Sequence, residues 1–221
     1  NVGPDYGGGM FFSENKEEVY SFRADVSYPV KIGKELNNDV KIGGSFQQRD
    51  REFYARQLGY TQYSTIGGAT GSVKYQDSLT FLSDDQIFSS TSMGLIAPGK
   101  GGFKLKDATK NSDSYKAGSK LSASYVMINT RYKKWLRLVW GARIEAFTQT
   151  LDATLDNNKP LTIRTNKVDI LPSANAVISI SEKQNIRASY SQTLNRPEFR
   201  ELAPFAFYDF NTQFVYSGND T

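Results

Sequence analysis

Six stretches of this chain alternate apolar and polar side chains with a period of two, each for long enough to cross a bilayer as a tilted strand. They fall at about Val19 to Val30, Asp39 to Gln48, Tyr115 to Asn129, Trp135 to Thr150, Asp169 to Ser181 and Gln184 to Leu194. Such alternation predicts strands that bury one face only. The links between them run short (Lys31 to Asn38), long (Arg49 to Ser114), short (Thr130 to Lys134), medium to long (Leu151 to Val168), then short again (Glu182 and Lys183). All the tight turns are therefore expected at one end of an up-and-down sheet.

Tight turns at one edge and extended loops at the other are the layout of outer-membrane β-barrels. Two further features point the same way. The strands exceed the usual soluble length of about five or six residues, and Tyr28, Tyr132 and Trp135 gather near the short-turn end as an interfacial girdle would. The expected fold class is all-β, with antiparallel up-and-down strands from a transmembrane β-barrel: an incomplete barrel segment of six or seven strands with one long loop. The alternative is a soluble, surface-exposed β-sandwich module for glycan binding or adhesion, because sandwich strands also alternate.

The faces can be read strand by strand. Tyr20, Phe22, Ala24, Val26, Tyr28 and Val30 share one side of the first strand, and Ser21, Arg23, Asp25 and Ser27 the other. After the turn, Val40, Ile42 and Phe46 oppose Lys41, Ser45 and Gln47. In the second hairpin, Leu121, Ala123, Tyr125 and Met127 are expected to join Leu136, Leu138, Trp140, Ala142, Ile144 and Ala146 on the apolar side, away from Arg137, Gly141, Arg143 and Glu145. In the third, Ile170, Ala174, Ala176, Ile178 and Ile180 pair with Ile186, Ala188 and Tyr190, opposite Ser173, Asn175, Ser179, Arg187, Ser189 and Ser191. The lumen-facing candidates are Arg23, Asp25, Lys41, Arg137, Arg143, Glu145 and Arg187, since charge costs less in a hydrated lumen than against lipid.

Composition narrows the remaining classes. At 38% hydrophobic residues and a mean hydropathy of -0.51, no stretch approaches the roughly 18 consecutive apolar residues of a membrane helix. The chain has neither cysteine nor histidine. It therefore lacks a disulfide framework, a thiolate nucleophile, the usual general base and the commonest zinc ligand, which weighs against an enzyme. No catalytic residue, metal site or cofactor is assigned. The net charge of +4 is spread along the chain, and the longest basic run, Arg131, Lys133 and Lys134, is too small to indicate nucleic acid. The segment Asn1 to Gly9 is polar and glycine-rich, without the basic start and apolar core of a secretory signal. The expectation is an interior piece of a longer protein, with residues 1–221 forming one partial barrel domain.

The last third carries a resemblance. Leu171-Pro172-Ser173, then Arg187-Ala188-Ser189-Tyr190-Ser191, then Asn195-Arg196-Pro197-Glu198-Phe199-Arg200-Glu201-Leu202-Ala203-Pro204-Phe205 follow one another in order. This run resembles the barrel domain of TonB-dependent outer-membrane receptors, especially the Bacteroidetes type. Arg51-Glu52-Phe53 and Gly141-Ala142-Arg143-Ile144-Glu145 are weaker echoes, so that the resemblance covers most of Val19 to Phe210. It implies a Gram-negative outer-membrane protein that takes up a scarce nutrient of the siderophore, glycan or peptide class. Extracellular loops and the lumen would capture the ligand, and a plug domain would then rearrange under the TonB energy-transducing complex. No plug is recognisable in this chain. Outer-membrane lipid, the plug, that complex and a small nutrient ligand are the expected partners. Full closure in such transporters takes about 22 strands.

The physics of the family motif is legible without the family. Pro197 fixes φ, offers no ladder donor and biases Arg196 toward extended geometry, so a strand ending near Leu194 leaves the sheet there. The motif residues Asn195, Arg196, Pro197, Phe199, Glu201, Leu202 and Pro204 are expected in an extracellular rim segment, 195–212, pinned by ion pairs of Arg196, Glu198, Arg200 and Glu201. Pro204 precedes an aromatic cluster of Phe205, Phe207, Tyr208 and Phe210. Residues 49–114 are expected as a long extracellular loop, a partly ordered lid rich in aromatic residues. Gly67-Gly68-Ala69-Thr70-Gly71 and Gly99-Lys100-Gly101-Gly102 lack phosphate-loop spacing. Asp77, Asp84 and Asp85 lack EF-hand spacing.

Overall fold

The computed structural model describes residues 7–68, 71–209, 211–212 and 214–218. Its main body is one curled antiparallel sheet, a half-barrel. Six strands follow one another across it: β1 (Gly7–Ile32), β2 (Leu36–Gln62), β8 (Ser114–Tyr132), β9 (Leu136–Thr154), β10 (Pro160–Ser181) and β11 (Gln184–Ser191). Between β2 and β8 the chain builds β3 (Thr65–Gly68), β4 (Gly71–Tyr75), helix α1 (Asp84–Ile87), β5 (Leu95–Ala97), β6 (Lys100–Gly101) and β7 (Phe103–Asp107). After β11 come α2 (Phe199–Leu202) and the hairpin of β12 (Ala206–Asp209) with β13 (Phe214–Ser217).

Register in the main sheet is fixed by parity. Phe22, Phe46, Ser122, Ala146 and Val168 lie opposite one another in a row, as do Ile32, Leu36, Tyr132, Leu136 and Ile178. Apart from the irregular ends at Gly7 to Met10 and at Ser181 to Gln184, even-numbered residues of the six strands thus face the convex side and odd-numbered ones the concave side. Between those two rows the convex face, including Ile186, Ala188 and Tyr190 of β11, holds no Asp, Glu, Lys or Arg. The rows are ten residues apart on each strand, as from Phe22 to Ile32. At about 3.3 Å per residue and a tilt near 45° this makes a belt roughly 23 Å tall, close to the apolar band of membrane barrels. A sandwich would lay a second sheet over such a face. Here it is open, with Phe22 68% and Val26 74% exposed.

Three expectations are corrected by this register. Leu121, Ala123, Tyr125 and Met127 lie on the concave side, opposite Phe147, Glu145, Arg143 and Gly141, while Ser122, Ser124 and Val126 face outward. Residues 49–62 are not loop but the far half of β2, and 151–168 contain the ends of β9 and β10 joined by a five-residue turn, Leu155 to Lys159. Just beyond the belt, from Arg49 to Glu52, both sides of β2 carry polar side chains. Alternation therefore disappears there although the ladder continues. Outward ion pairs such as Lys116–Glu52 at 2.9 Å and Lys16–Glu18 at 3.3 Å line this overhang. On the last strand, β11 stops at Ser191, opposite Ser173, rather than near Leu194.

The overhang also receives β7, which adds to β2 from Leu58 to Gln62. Asp107 anchors that join, accepting from the Thr109 hydroxyl at 2.5 Å and from Arg56 at 2.8 Å. The Thr109 hydroxyl first, then Arg56 and the Thr109 N–H, bring the Asp107 carboxyl down to about 2. A depressed carboxylate stabilises fully above its ordinary value near 3.8 and loses that effect as pH falls through about 2. Amide protection across Leu58–Gln62 should therefore persist at pH 4 and decline only toward pH 2, as hydrogen exchange would report; early loss at pH 4 would contradict this anchor.

Candidate functional site

The concave face is where the sheet gathers its charge and its buried groups. All seven residues singled out for the polar side, Arg23, Asp25, Lys41, Arg137, Arg143, Glu145 and Arg187, lie on it. They do not form one cluster. Near the middle of β1, Asp25 pairs with Lys41 at 2.7 Å and with Arg23 at 3.8 Å. Arg137 donates to the Asn129 side chain at 3.2 Å, and Arg187 stands apart on β11.

Tyr125 lies across the Asp25 group, with the Arg23 guanidinium 5.7 Å from its ring centre. The ring occupies space that only Gly43 leaves open, since a Cβ at that position would come within 2.7 Å of both the Tyr125 ring and Asp25 Cβ. Glycine is needed here for close approach rather than for a turn. This explains why a tyrosine faces inward on a strand whose outward side carries Ser122 and Ser124.

The deeper site is built by the chain after β11. Residues 195–205 fold back onto the concave face, from the level of Glu145 into the overhang around Ala55 and Leu151. Arg196 reaches Glu145 at 2.8 Å and Asp169 at 3.4 Å, and its guanidinium lies 4.5 Å from the centre of the Phe147 ring. Glu145 also holds Arg143 at 2.6 Å, and Arg143 donates to Ser45 at 3.2 Å. Glu145 is only 7% exposed. Two guanidinium partners satisfy the carboxylate that burial would otherwise penalise.

Pro197 contributes its carbonyl, which accepts from Gln149 at 3.1 Å. Phe199 is 1% exposed and sits beneath Arg49 and Arg51, whose guanidinium carbons lie 5.0 and 5.4 Å from its ring centre. Around it Ala55, Tyr115, Ala117, Leu151, Ala203 and Phe205 form the apolar core of the molecule. Phe53 stacks on Tyr115 at 5.2 Å and meets Phe205 at 5.1 Å. Leu202 packs against this core, Glu201 accepts the Glu198 N–H at 3.0 Å, and Pro204 follows α2 as the chain leaves it. Asn195 is exposed at the start of the segment.

Arg49 ties the two ends of the site together, pairing with Glu17 at 3.0 Å and with Glu198 at 3.0 Å. Arg51 also reaches Glu17. Burial pushes the Glu17 carboxyl up, but the hydrogen bonds from Arg49 and Arg51 more than offset this and leave it below the usual carboxylate range. Arg196 and Glu198 make ion pairs that hold the segment. Phe147, Gln149 and Asp169 were not singled out from the sequence, and Arg49 and Arg51 only as part of the expected loop and its Arg51-Glu52-Phe53 echo. Their odd numbers, shared with Glu145 and Arg143, are the feature that could have found them. Phe210 lies outside the described residues, and Phe207 and Tyr208 belong to β12.

Two substitutions probe this arrangement. Glu145→Ala leaves Arg196 and Arg143 without their carboxylate and should cost about 3 kcal/mol, seen as a lowered unfolding temperature and as faster proteolysis near Phe199. Unchanged values would mean the segment is held without the ion pair. Gly43→Ala should cost about 1–3 kcal/mol by overpacking, with much of the loss recovered in Gly43→Ala/Tyr125→Ala; no recovery would show that the ring is not the obstruction.

Among the described residues no helix is long and apolar enough to cross a membrane, and no group of acidic residues is arranged to hold a metal ion. An outward belt without charged side chains is a feature of strands that cross lipid. No curated protein matches the chain. Residues 91–221, more than half of it, match the family described as outer membrane protein beta-barrel. The chain belongs to the outer membrane protein beta-barrel family, and its place is the outer membrane.

Proposed function

We propose that this chain is part of the barrel wall of a TonB-dependent receptor of the Bacteroidetes type, which imports a scarce nutrient of the siderophore, glycan or peptide class. The concave face is then the lumen, and the strand overhang with residues 63–113 is extracellular. The observation that carries the reading is the inward docking of residues 195–205. Arg196, Pro197 and Phe199, central to the receptor-like motif, are the residues that make its ion pair, backbone hydrogen bond and core contact. A segment held inside the wall narrows the passage and leaves a shaped polar surface beside it, which suits a transporter that binds its cargo before moving it.

In this reading no residue of the chain carries chemistry on the cargo. The wall supplies a fixed surface, and a plug domain coupled to the energy-transducing complex supplies the movement. The test is binding of the full-length protein, extracted from outer membranes, to the periplasmic domain of TonB. A heat-modifiable band on gels together with saturable TonB binding is expected. A heat-modifiable barrel that does not bind TonB would overturn the receptor assignment while leaving the barrel intact.

A further inference from the structure

The last full row of concave-face residues before the short turns is Lys31, Asn37, Arg131, Arg137, Val177 and Arg187, each directly opposite the next across all six strands. Four of these six are cations and none is acidic. Arg131 and Arg137 stand directly opposite each other, a like-charge pair that destabilises a sheet. All four cations are exposed, and none makes an ion pair among the described residues. Asp39, one row further along this face, reaches Arg137 through Asn129, which donates to it at 3.3 Å, and Glu35 in the adjoining turn pairs with Lys133.

The surroundings strengthen the field of this row. Its convex side lies at the foot of the charge-free belt, so the cations project from a wall backed by hydrocarbon. Walls of low dielectric focus the field of such charges into the cleft they line and raise the local concentration of counter-ions. Rings of Arg and Lys select anions in pores by this physics. Adjacent strands are about 4.8 Å apart, which brings Arg131 and Arg137 close enough to grip one anion with two planar guanidinium groups. Lys31 and Arg187 each lie about two strand spacings, or roughly 10 Å, further out. The row thus offers separate stations for compact anionic groups rather than one continuous cradle for a folded acidic surface.

We propose that this row is a cationic collar at the short-turn end of the lumen, and that the protein binds multiply charged anionic solutes there, bearing phosphate or carboxylate groups. The inference rests on the reading of the concave face as a transport path and adds the chemical class of the cargo.

The test uses the full-length protein in detergent, titrated calorimetrically with tripolyphosphate and, separately, with neutral maltotriose. Tripolyphosphate should bind, weaken as salt is raised from 50 to about 200 mM, and lose at least tenfold in affinity in Arg131→Gln/Arg137→Gln. Arg187→Glu should weaken it as well. Lys120→Gln on the convex overhang should leave it unchanged, and each variant should keep its heat-modifiable band as proof of folding. Equal binding of maltotriose, or tripolyphosphate binding indifferent to the arginine variants, would overturn the collar. Binding of poly-glutamate without tripolyphosphate would overturn it in favour of an acidic polypeptide partner. A protein that keeps TonB binding but fails these tests loses the collar alone; one that loses TonB binding loses the receptor reading.

Discussion

Backbone pairing across the apolar belt is the constraint on which everything else in this structure depends. In hydrocarbon an N–H or C=O without a partner costs several kcal/mol, so paired strands there cannot bulge or slip freely. The ladder from β1 through β2, β8, β9 and β10 keeps one register without interruption through the belt. That single register is what makes odd and even numbers mean inside and outside on every strand. Polar groups at odd positions are thereby brought into line across residues far apart in sequence, as with Ser45, Arg143 and Glu145.

The interior is organised from the same parity. In its far half the concave face is filled by the chain itself, with Phe199 at the centre of the core and Arg196 bound to the wall. Toward the short turns it carries small polar residues and cations. Two kinds of surface therefore succeed one another along the same strands, a packed one and a wet one. The Asp25, Lys41 and Tyr125 group lies at the boundary, where Gly43 makes room for a ring that closes off the packed half.

Much of this was legible in the sequence wherever lipid imposes alternation. Tyr20 to Val30 could be assigned to a face because water and hydrocarbon lie on opposite sides of them. The overhang was not legible, since Arg49, Asp50, Arg51 and Glu52 are polar on both sides and a ladder leaves no period when both faces tolerate charge. β8 was misread for a different reason. Its inward residues Leu121 and Tyr125 are more apolar than its outward Ser122 and Ser124, because the interior there packs against Phe147 and over Gly43. The inward turn of residues 195–205 left a trace only as a motif. Pro197 announces that the strand ends, but not on which side of the sheet the chain then lies.

The two outer edges of the sheet, along β1 and β11, have no neighbour among the described residues. In a closed barrel the belt portions of both edges must pair with further strands, because an unpaired donor or acceptor at the depth of the acyl chains finds no solvent to relieve it. Insertion and closure must consequently be a single cooperative event, in which each hairpin enters only as its flanks find partners. A half-finished wall has no resting place in the bilayer, and until closure the open edges are templates for pairing with any other extended chain. The edges thus constrain assembly: their backbone groups must find partner strands as the wall enters the membrane.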